Sequence, residues 1–493
     1  MKNIVKTAAM VALLLGASTP VVRAQSPRLD PSFAIMSAVG PQGSGTAGIS
    51  DVLRQPDGKL VVSGDFRSIN GRPALGVARL LPDGQVDTTF AAPPINGLVL
   101  TLALQADSKL LVGGRFTTVG GQSRVGLARL LPTGALDPSF LPPYGGGPPP
   151  FAYSNVRKIV LQPGRGILLV GTLIPMGSTG PGAVRAARLL ESTGAVDPTF
   201  QLPANTTANT VNDVLVLPTG GLVFSSPPNL FNGQPCIVWA TGPDGALDPA
   251  FVPLPGLNAF SEAYALARDP ATGKLYVVRD PAGTGTLALE PLRLLPTGVP
   301  DPTFRVAGGF GPSFSVANAL AVQPNGRLLL GGDFSVAGGF YGSCRLLPSG
   351  GLDPSYDPSR GPGSGVTQVR VLPDGKLLFA GGFTQAGGFA LECLARMLDP
   401  NVLLAARAGA TEADALAAWP VPAREVLHLR LPAGRAARQA ALLDALGRVV
   451  LRQALASGAA APALPTAGLA PGGYLLRVDF ASGPPAYRRV AVE

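Results

Sequence analysis

The chain of 493 residues contains one histidine, His428, and three cysteines. A Ser-His-Asp triad, a Cys-His pair and a histidine-ligated metal centre each require histidine. His428 alternates with leucines in the segment 419–493, on the polar face of a predicted strand, where a solvated side chain is expected. Residues 25–418 therefore exclude all three kinds of site.

Other motifs that carry chemistry are missing as well. The sequence has no Cys-x-x-Cys spacing, no Gly-x-x-x-x-Gly-Lys-Ser/Thr phosphate loop and no Asp-x-Asp-x-Asp-Gly calcium loop. We therefore predict no catalytic residue, no cofactor-binding residue, no metal ligand and no cofactor.

The three cysteines, Cys236, Cys344 and Cys393, are an odd number and occupy non-equivalent positions in the repeat described below. Cys344 and Cys393 fall on corresponding strands of neighbouring repeats, so a disulfide between them stays open. Buried free thiols are the favoured interpretation.

The net charge of +9 is unevenly distributed along the chain. Residues 419–493 hold nine arginines against four acids, whereas residues 25–418 hold 27 basic and 26 acidic residues. The long central region is nearly neutral, so we predict no nucleic-acid partner. Beyond the N-terminus, no uncharged stretch of about 18 apolar residues occurs, so we predict no membrane span in the mature chain.

The most prominent feature of the chain is a repeated motif of the type Leu-Asp-Pro-Ser-Phe. It recurs seven times at intervals of 50 to 60 residues and ends at Phe33, Phe90, Phe140, Phe200, Phe251, Phe304 and Tyr356. Such a period indicates one supersecondary unit copied along the chain. Each copy contains four short apolar runs bounded by Gly, Pro, Asn or Asp, which predicts four strands. The 64 glycines and 51 prolines fall at fixed offsets in the copies, as turn residues do.

The two ends of the repeat array complement each other. The last copy stops at Asp399-Pro400 without its aromatic fourth strand, and residues 29–33 form such a strand before the first copy begins. If the N-terminal strand completes the last copy, the sheets close into a ring. We predict an all-β chain with a seven-bladed β-propeller of four-stranded blades; the alternative is an open array of β units.

The repeat also resembles a known family. The stretch 55–66, then Ala78-Arg79-Leu80 and the Asp-Pro-x-Phe ending, is similar to the delta-60 β-propeller repeat over residues 28–400. This resemblance implies an extracytoplasmic propeller of undefined activity. Kelch repeats share the period and the Gly-Gly doublet but have a later tyrosine and tryptophan that this chain lacks.

The N-terminus has the pattern of a secretory signal peptide. Lys2 and Lys6 precede a short apolar run, and Val22-Arg23-Ala24 supplies a small residue for cleavage. We predict a signal peptide over residues 1–24, removed after Ala24. The alternative is an N-terminal anchor that stays uncleaved.

The C-terminus predicts a linker over 401–418 and then a second, Ig-like β-sandwich over 419–493. Period-two alternation of leucines around His428 supports the strands. Three phrases, 419–423, 446–450 and 469–478, together resemble the C-terminal sorting domain of the type IX secretion system, although Trp419 and Val421 depart from its usual opening. The resemblance implies that residues 419–493 engage the type IX secretion machinery and that the protein is secreted or displayed on the cell surface. A carbohydrate-binding sandwich is the alternative.

Three functions remain open for the propeller. The favoured one is a binding or scaffold module whose loops take a glycan or protein ligand. A carbohydrate-active hydrolase or lyase with paired carboxylates in the funnel is the second, and a purely structural surface component is the third. Asp65 and Asp333 end equivalent strands where other copies have Arg115 and Gly382, which suits either binding or simple turn solvation. We expect a structural role for the repeated aspartates Asp30, Asp87, Asp137, Asp197, Asp248, Asp301 and Asp353.

Overall fold

The chain divides into two compact units, residues 1–402 and 403–493, in a computed structural model. The structure describes residues 27–33, 37–40, 47–144, 154–174, 184–203, 211–231, 234–256, 261–280, 290–306, 316–336, 339–399, 416–419, 422–431, 436–443, 449–455, 462–481 and 486–493. The predicted signal peptide and most of the predicted linker lie outside these residues.

The described part of the first unit consists of short strands, with one 3₁₀ turn at Pro358–Arg360. The strands of its N-terminal half are β1 (Arg28–Leu29), β2 (Ala38–Val39), β3 (Gly48–Arg54), β4 (Leu60–Asp65), β5 (Ser68–Ile69), β6 (Arg72–Pro73), β7 (Val77–Leu80), β8 (Leu98–Leu104), β9 (Leu110–Arg115), β10 (Thr118–Val119), β11 (Gln122–Ser123), β12 (Leu127–Leu130), β13 (Asn155–Gln162), β14 (Gly166–Leu173) and β15 (Val184–Leu189). The strands of its C-terminal half are β16 (Asp213–Val216), β17 (Leu222–Phe231), β18 (Gln234–Thr241), β19 (Leu254–Pro255), β20 (Glu262–Arg268), β21 (Leu275–Asp280), β22 (Glu290–Leu294), β23 (Val316–Val322), β24 (Leu328–Val336), β25 (Gly339–Leu346), β26 (Val366–Val371), β27 (Leu377–Gly381), β28 (Gln385–Ala386), β29 (Phe389–Ala390) and β30 (Leu394–Leu398).

These strands form antiparallel sheets of one plan, one for each copy of the repeat. Within the described residues, sheets 1 to 7 have the strand orders β3-β4-β7, β8-β9-β12, β13-β14-β15, β16-β17-β18-β19, β20-β21-β22, β23-β24-β25 and β26-β27-β30-β1. Shorter sheets, β2-β5-β6, β10-β11 and β28-β29, accompany them. In sheets 1 to 6 the predicted fourth strand meets the third through a single bridge, such as Leu80 with Val86. The run is short because the chain then turns at the aspartate, whose carbonyl accepts from the N–H of the aromatic residue three positions on, as Asp87 does from Phe90.

Apolar side chains hold each sheet against the next. Successive residues of a strand point to opposite faces, so Val61 packs with side chains of sheet 2 while Val62 packs with side chains of sheet 7. Similar buried clusters occupy each successive junction of neighbouring sheets. The cluster between sheets 7 and 1 includes Ile49 and Leu378, and it closes the ring.

The N-terminal strand completes sheet 7, as predicted. In β1, Arg28 pairs with Leu398 and Leu29 with Met397, and the N–H of Asp30 donates to the carbonyl of Arg396 at 2.9 Å. The edge that the last copy leaves unpaired is therefore covered by the start of the chain.

The second unit contains β31 (Ala417–Trp419), β32 (Val426–Arg430), β33 (Ala437–Leu443), β34 (Val449–Ala454), β35 (Ala463–Pro465), β36 (Gly472–Phe480) and β37 (Ala486–Val492). They form two sheets, β31-β32-β35 and β34-β33-β36-β37. Leu427 and Leu429 from one sheet share a core with Leu442, Leu476 and Val478 from the other. This packing of two sheets is the sandwich that the alternating pattern predicts.

Candidate functional site

A cluster of charged and aromatic side chains recurs on one side of the ring. In sheet 1, Nε of Arg79 donates to Oδ2 of Asp87 at 2.8 Å, and Nζ of Lys59 lies 3.0 Å from the same oxygen. The other oxygen, Oδ1, accepts from the N–H and hydroxyl of Thr89 at 3.0 and 2.6 Å. The guanidinium lies over the ring of Phe90, 4.7 Å from its centroid.

Six of the seven sheets have this arrangement in the described residues. The trios are Arg79–Asp87–Phe90, Arg129–Asp137–Phe140, Arg188–Asp197–Phe200, Arg293–Asp301–Phe304, Arg345–Asp353–Tyr356 and Arg396–Asp30–Phe33. The Nε–Oδ2 distances are 2.7 to 2.9 Å throughout. In each trio the ring of the repeated aromatic residue therefore packs against the guanidinium group of the arginine.

Each of these arginines also reaches the following sheet. Nη1 of Arg79 donates to the carbonyl of Pro132 at 2.9 Å, and Nη1 of Arg396 crosses the closure of the ring to the carbonyl of Pro82 at 2.6 Å. Arg345 instead contacts the carboxylate of Asp399. We call the arginine with its aspartate, its aromatic and this contact the arginine clasp.

Sheet 4 lacks the clasp. Ala240 pairs with Val223 as Arg79 pairs with Val61, so an alanine stands where the other sheets have arginine. Its aspartate, Asp248, accepts from the N–H of Ala250 at 2.9 Å and has no cationic partner in the part of the chain that the structure describes. The junction of sheets 4 and 5 retains the buried apolar cluster and a backbone hydrogen bond from Val252 to the carbonyl of Thr297.

The clasp fixes the charge of its aspartates. Burial alone would raise the pKa of Asp30, but hydrogen bonds from Ser32 and the positive charges of Lys376 and Arg396 outweigh it and lower the pKa to about 2. The pKa of Asp87 is lowered for the same reasons, with Thr89 in place of Ser32. These carboxylates remain ionised and fully engaged, which gives them the structural role expected from the sequence.

The opposite side of the ring carries a different set of residues. The start of each inner strand pairs with the end of the second strand, as Leu98 does with Arg115 and Val316 with Asp333, so these positions share one face. We call this face the rim. Asp65 and Arg115 are exposed on it and have no ion pair within the described ranges. A carboxylate oxygen of Asp333 accepts from the N–H of Gly365 in sheet 7, so this acid joins two sheets.

Sequence reasoning missed a hydrogen-bonded chain on the rim of sheets 3 to 5. Nη1 of Arg157 donates to Oδ1 of Asn212 at 2.9 Å, and Nδ2 of Asn212 donates to Oε1 of Glu262 at 2.8 Å. Burial, together with the nearby charges of Glu262 and Asp280, raises the pKa of the Tyr264 hydroxyl. Bulges in β13 and β20 turn Arg157 and Tyr264 out of the regular ladder, and no pattern in the sequence announces those bulges.

One pair of acids on the rim suits the carboxylate chemistry considered from the sequence. Glu262 and Asp280 are register partners on β20 and β21, and partners in an antiparallel pair point to the same face. Two other inner-strand acids, Asp51 and Asp213, have a structural role because they connect neighbouring sheets. Their carboxylates accept from the N–H groups of inner strands in the next sheets at 2.9 and 3.0 Å.

The cysteines and the histidine considered from the sequence have no arrangement suited to catalysis or metal binding in the described residues. Cys236, Cys344 and Cys393 are free and buried, and burial raises the pKa of Cys236 and of Cys393 to about 12. His428 is exposed beside the ring of Trp419, with 5.9 Å between centroids. The described residues contain no group of three or more His, Cys, Asp or Glu arranged to hold a metal. No helix in the described part of the chain is long and apolar enough to cross a membrane.

Comparison with known proteins agrees with the fold. The family model "Domain of unknown function (DUF5122) beta-propeller" matches residues 55–90, 105–140 and 323–356. These are copies of the repeat in sheets 1, 2 and 6. No curated protein matches the chain in sequence. The chain is a β-propeller protein, nearly all β in its described part.

Solved structures with distant similarity include the extracellular domain of a hybrid two component system from B. thetaiotaomicron, at 12% identity and a TM-score of 0.42. That match covers 93% of this chain and 57% of the other. PorZ, a surface component of the type IX secretion system of Porphyromonas gingivalis, matches at 13% identity and a TM-score of 0.34, over 91% of this chain and 66% of PorZ. A puromycin-hydrolyzing peptidase of Mycobacterium tuberculosis matches at 16% identity and a TM-score of 0.44, over 83% of this chain and 62% of the peptidase. The chain thus spans less than two thirds of each of these proteins, and similarity this distant carries no argument about function.

Proposed function

We propose that the protein is an exported β-propeller that acts as a binding or scaffold module, with the rim as its ligand surface. The observation that carries this proposal is the division of charged residues between the two sides of the ring. On the clasp side, acids and arginines neutralise one another in the same way in six sheets. On the rim, the equivalent positions change from Asp65 to Arg115 to Asp280 and Asp333. An even framework with a varied surface is the usual arrangement of a recognition scaffold.

Affinity electrophoresis of the purified protein through gels that contain different polysaccharides tests this proposal. Retardation without loss of gel staining identifies a glycan-binding module and its ligand class. Asp65→Asn and Arg115→Gln should reduce retardation, whereas Asp83→Asn, an exposed acid of a turn beside the clasp, should not. Retardation that persists unchanged in all rim variants would place binding elsewhere and contradict the proposal.

The facing acids Glu262 and Asp280 favour a second candidate, a carbohydrate-active hydrolase or lyase. Clearing of a polysaccharide in the same gels would reveal it. Glu262→Gln and Asp280→Asn should then each abolish clearing, with Asp333→Asn as the matched rim control. Clearing that survives both changes would exclude these acids as the catalytic pair.

We further propose the route by which the module leaves the cell. The signal peptide 1–24 would direct entry to the periplasm, residues 25–400 would form the delta-60-like propeller, and 419–493 the sorting domain. Residues 401–418 would form the linker, except that Ala417 and Ala418 already belong to β31 of the sandwich. The support is the sequence resemblance together with the separate sandwich core of the second unit. Deletion of 419–493 should leave the propeller in the periplasm while the full chain appears outside, as fractionation and immunoblotting would show. Normal export of the truncated protein would refute the sorting assignment.

A further inference from the structure

A set of five polar residues, the polar arc, crosses the rim from sheet 2 to sheet 5. Some of its hydrogen-bond donors and acceptors are available to a ligand. It consists of Arg115, Arg157, Asn212, Glu262 and Tyr264. Arg115 and Arg157 are exposed, and the other three side chains are half-buried. No carboxylate of the described residues lies within ion-pair distance of either arginine.

Close contact between sheets brings the two arginines to the same section of the rim. Gly113, two residues before Arg115, has no side chain, and a Cβ there would lie 2.7 Å from Cγ1 of Val156. Val156 immediately precedes Arg157. The two arginines are therefore near enough for the positive charge of one to act on the other. Burial by the surrounding protein lowers the pKa of Arg157, the charge of Arg115 lowers it further, and the charge of Glu262 offsets part of this shift. A bound anion would relieve both penalties.

The orientation of the arc is fixed by its chemistry. Arginine only donates and an ionised carboxylate only accepts, so the amide of Asn212 must present its oxygen to Arg157 and its nitrogen to Glu262. The same amide nitrogen donates to the carbonyl of Ala263 at 2.9 Å, and Ser225 Oγ donates to the carbonyl of Tyr264 at 2.8 Å. These contacts across sheets 3 to 5 hold the arc before any ligand arrives, which reduces the ordering cost of binding.

We propose that the polar arc binds an acidic saccharide, with the sugar carboxylate on Arg115 and Arg157 and its hydroxyl groups on Glu262 and Tyr264. A carboxylate matches the planar fork of guanidinium donors. A phosphodiester or sulfate group has no proton to donate to Glu262 and is repelled by its charge, whereas a sugar hydroxyl donates to that carboxylate. The combination of cationic donors beside an anionic acceptor and a phenol therefore selects a uronate over a simple polyanion.

This inference rests on the proposed binding function and is tested by calorimetric titration of the full chain with oligogalacturonate. The matched ligand is the same oligomer with its carboxylates reduced to alcohols. Arg157→Gln and Arg115→Gln should each weaken oligogalacturonate binding about 10- to 100-fold, the loss of a charge-assisted contact. Arg157→Lys, which keeps the charge but loses the fork, should fall between them and the unaltered protein. Circular dichroism should show every variant folded.

Two control variants separate the arc from other basic surfaces. Arg72→Gln removes an exposed arginine of the short strand β6, and Arg452→Gln removes one from the basic second unit; both should bind as the unaltered protein does. Equal affinity for the reduced oligomer, equal binding of dextran sulfate, or loss of binding only in Arg452→Gln would overturn the inference. Retardation by neutral glycans alone would also overturn it, yet would leave the proposed binding function standing.

Discussion

The clasp makes a quantitative prediction about stability, and sheet 4 supplies its internal control. Asp87→Asn in sheet 1 removes a carboxylate that Arg79 and Lys59 contact at 2.8 and 3.0 Å, while the arginine stays buried at 8% exposure. Removing one partner of a buried ion pair costs about 3–5 kcal/mol, because the other charge is left uncompensated. Arg79 retains the carbonyl of Pro132, so we expect a loss near the lower limit, about 3 kcal/mol.

The matched change is Asp248→Asn. Among the described residues no cation lies within ion-pair distance of Asp248, and the amide oxygen of asparagine can still accept from the N–H of Ala250. We therefore expect a loss below about 1 kcal/mol, the net value of an ordinary hydrogen bond.

Urea unfolding at pH 7 provides the measurement. The chain has two tryptophans, so a Trp419→Phe background leaves Trp239, buried in sheet 4, as the fluorescent reporter of the first unit. The variants should differ by about 2 kcal/mol in the free energy of unfolding, with similar urea dependence. If Asp87→Asn and Asp248→Asn unfold at the same urea concentration, the clasp does not stabilise the ring and the reasoning is wrong.

Three further predictions concern the same framework. Ala240→Arg should raise the urea midpoint by creating the absent clasp, and Asp248→Asn should cancel that gain; equal midpoints with and without the aspartate would mean that no ion pair forms. The folded pKa of Asp30, about 2, is below its unfolded value, so its contribution is complete above about pH 4 and is lost as the pH falls toward 2. Urea titrations between pH 5 and 2 should show this decline, and Asp30→Asn should make it shallower; an unchanged slope would contradict the assignment. Deletion of 27–33 should lower the melting temperature of the first unit, whereas an unchanged value would mean that β1 does not secure the ring.

Much of the framework was predictable from the sequence because it rests on local rules repeated at a fixed period. Turns at Pro, Asn and Gly delimit the strands, and alternation along each strand sends Val61 and Val62 to different junctions. The missing last strand and the spare first one predicted closure, which the pairing of Leu29 with Met397 confirms. The arginine of the clasp was visible as a repeat, but its partner was not assigned, although Asp87 follows Arg79 by only eight residues.

The polar arc was not predictable for a physical reason. Arg157, Asn212 and Glu262 are each about one repeat apart and meet only because the ring places consecutive inner strands side by side. Bulges then decide which residue of each strand reaches the rim, and a bulge depends on how neighbouring sheets fit rather than on local propensity. Variation among copies drew attention to Asp65 and Arg115, which lie exposed on the rim, but it gave no means of finding the residues between them.

The closure by β1 also imposes an order on how the protein is made. Contacts between consecutive sheets join residues about 50 positions apart and can form while the chain is still emerging. The contact of Arg396 with Asp30 spans 366 residues, so the last junction must wait until nearly the whole propeller has been synthesised. Until then two sheet edges and an apolar cluster lie open to other chains. Pairing of the N-terminal strand β1 with sheet 7 is therefore the last step of ring closure. Before this step the protein depends most on protection from aggregation.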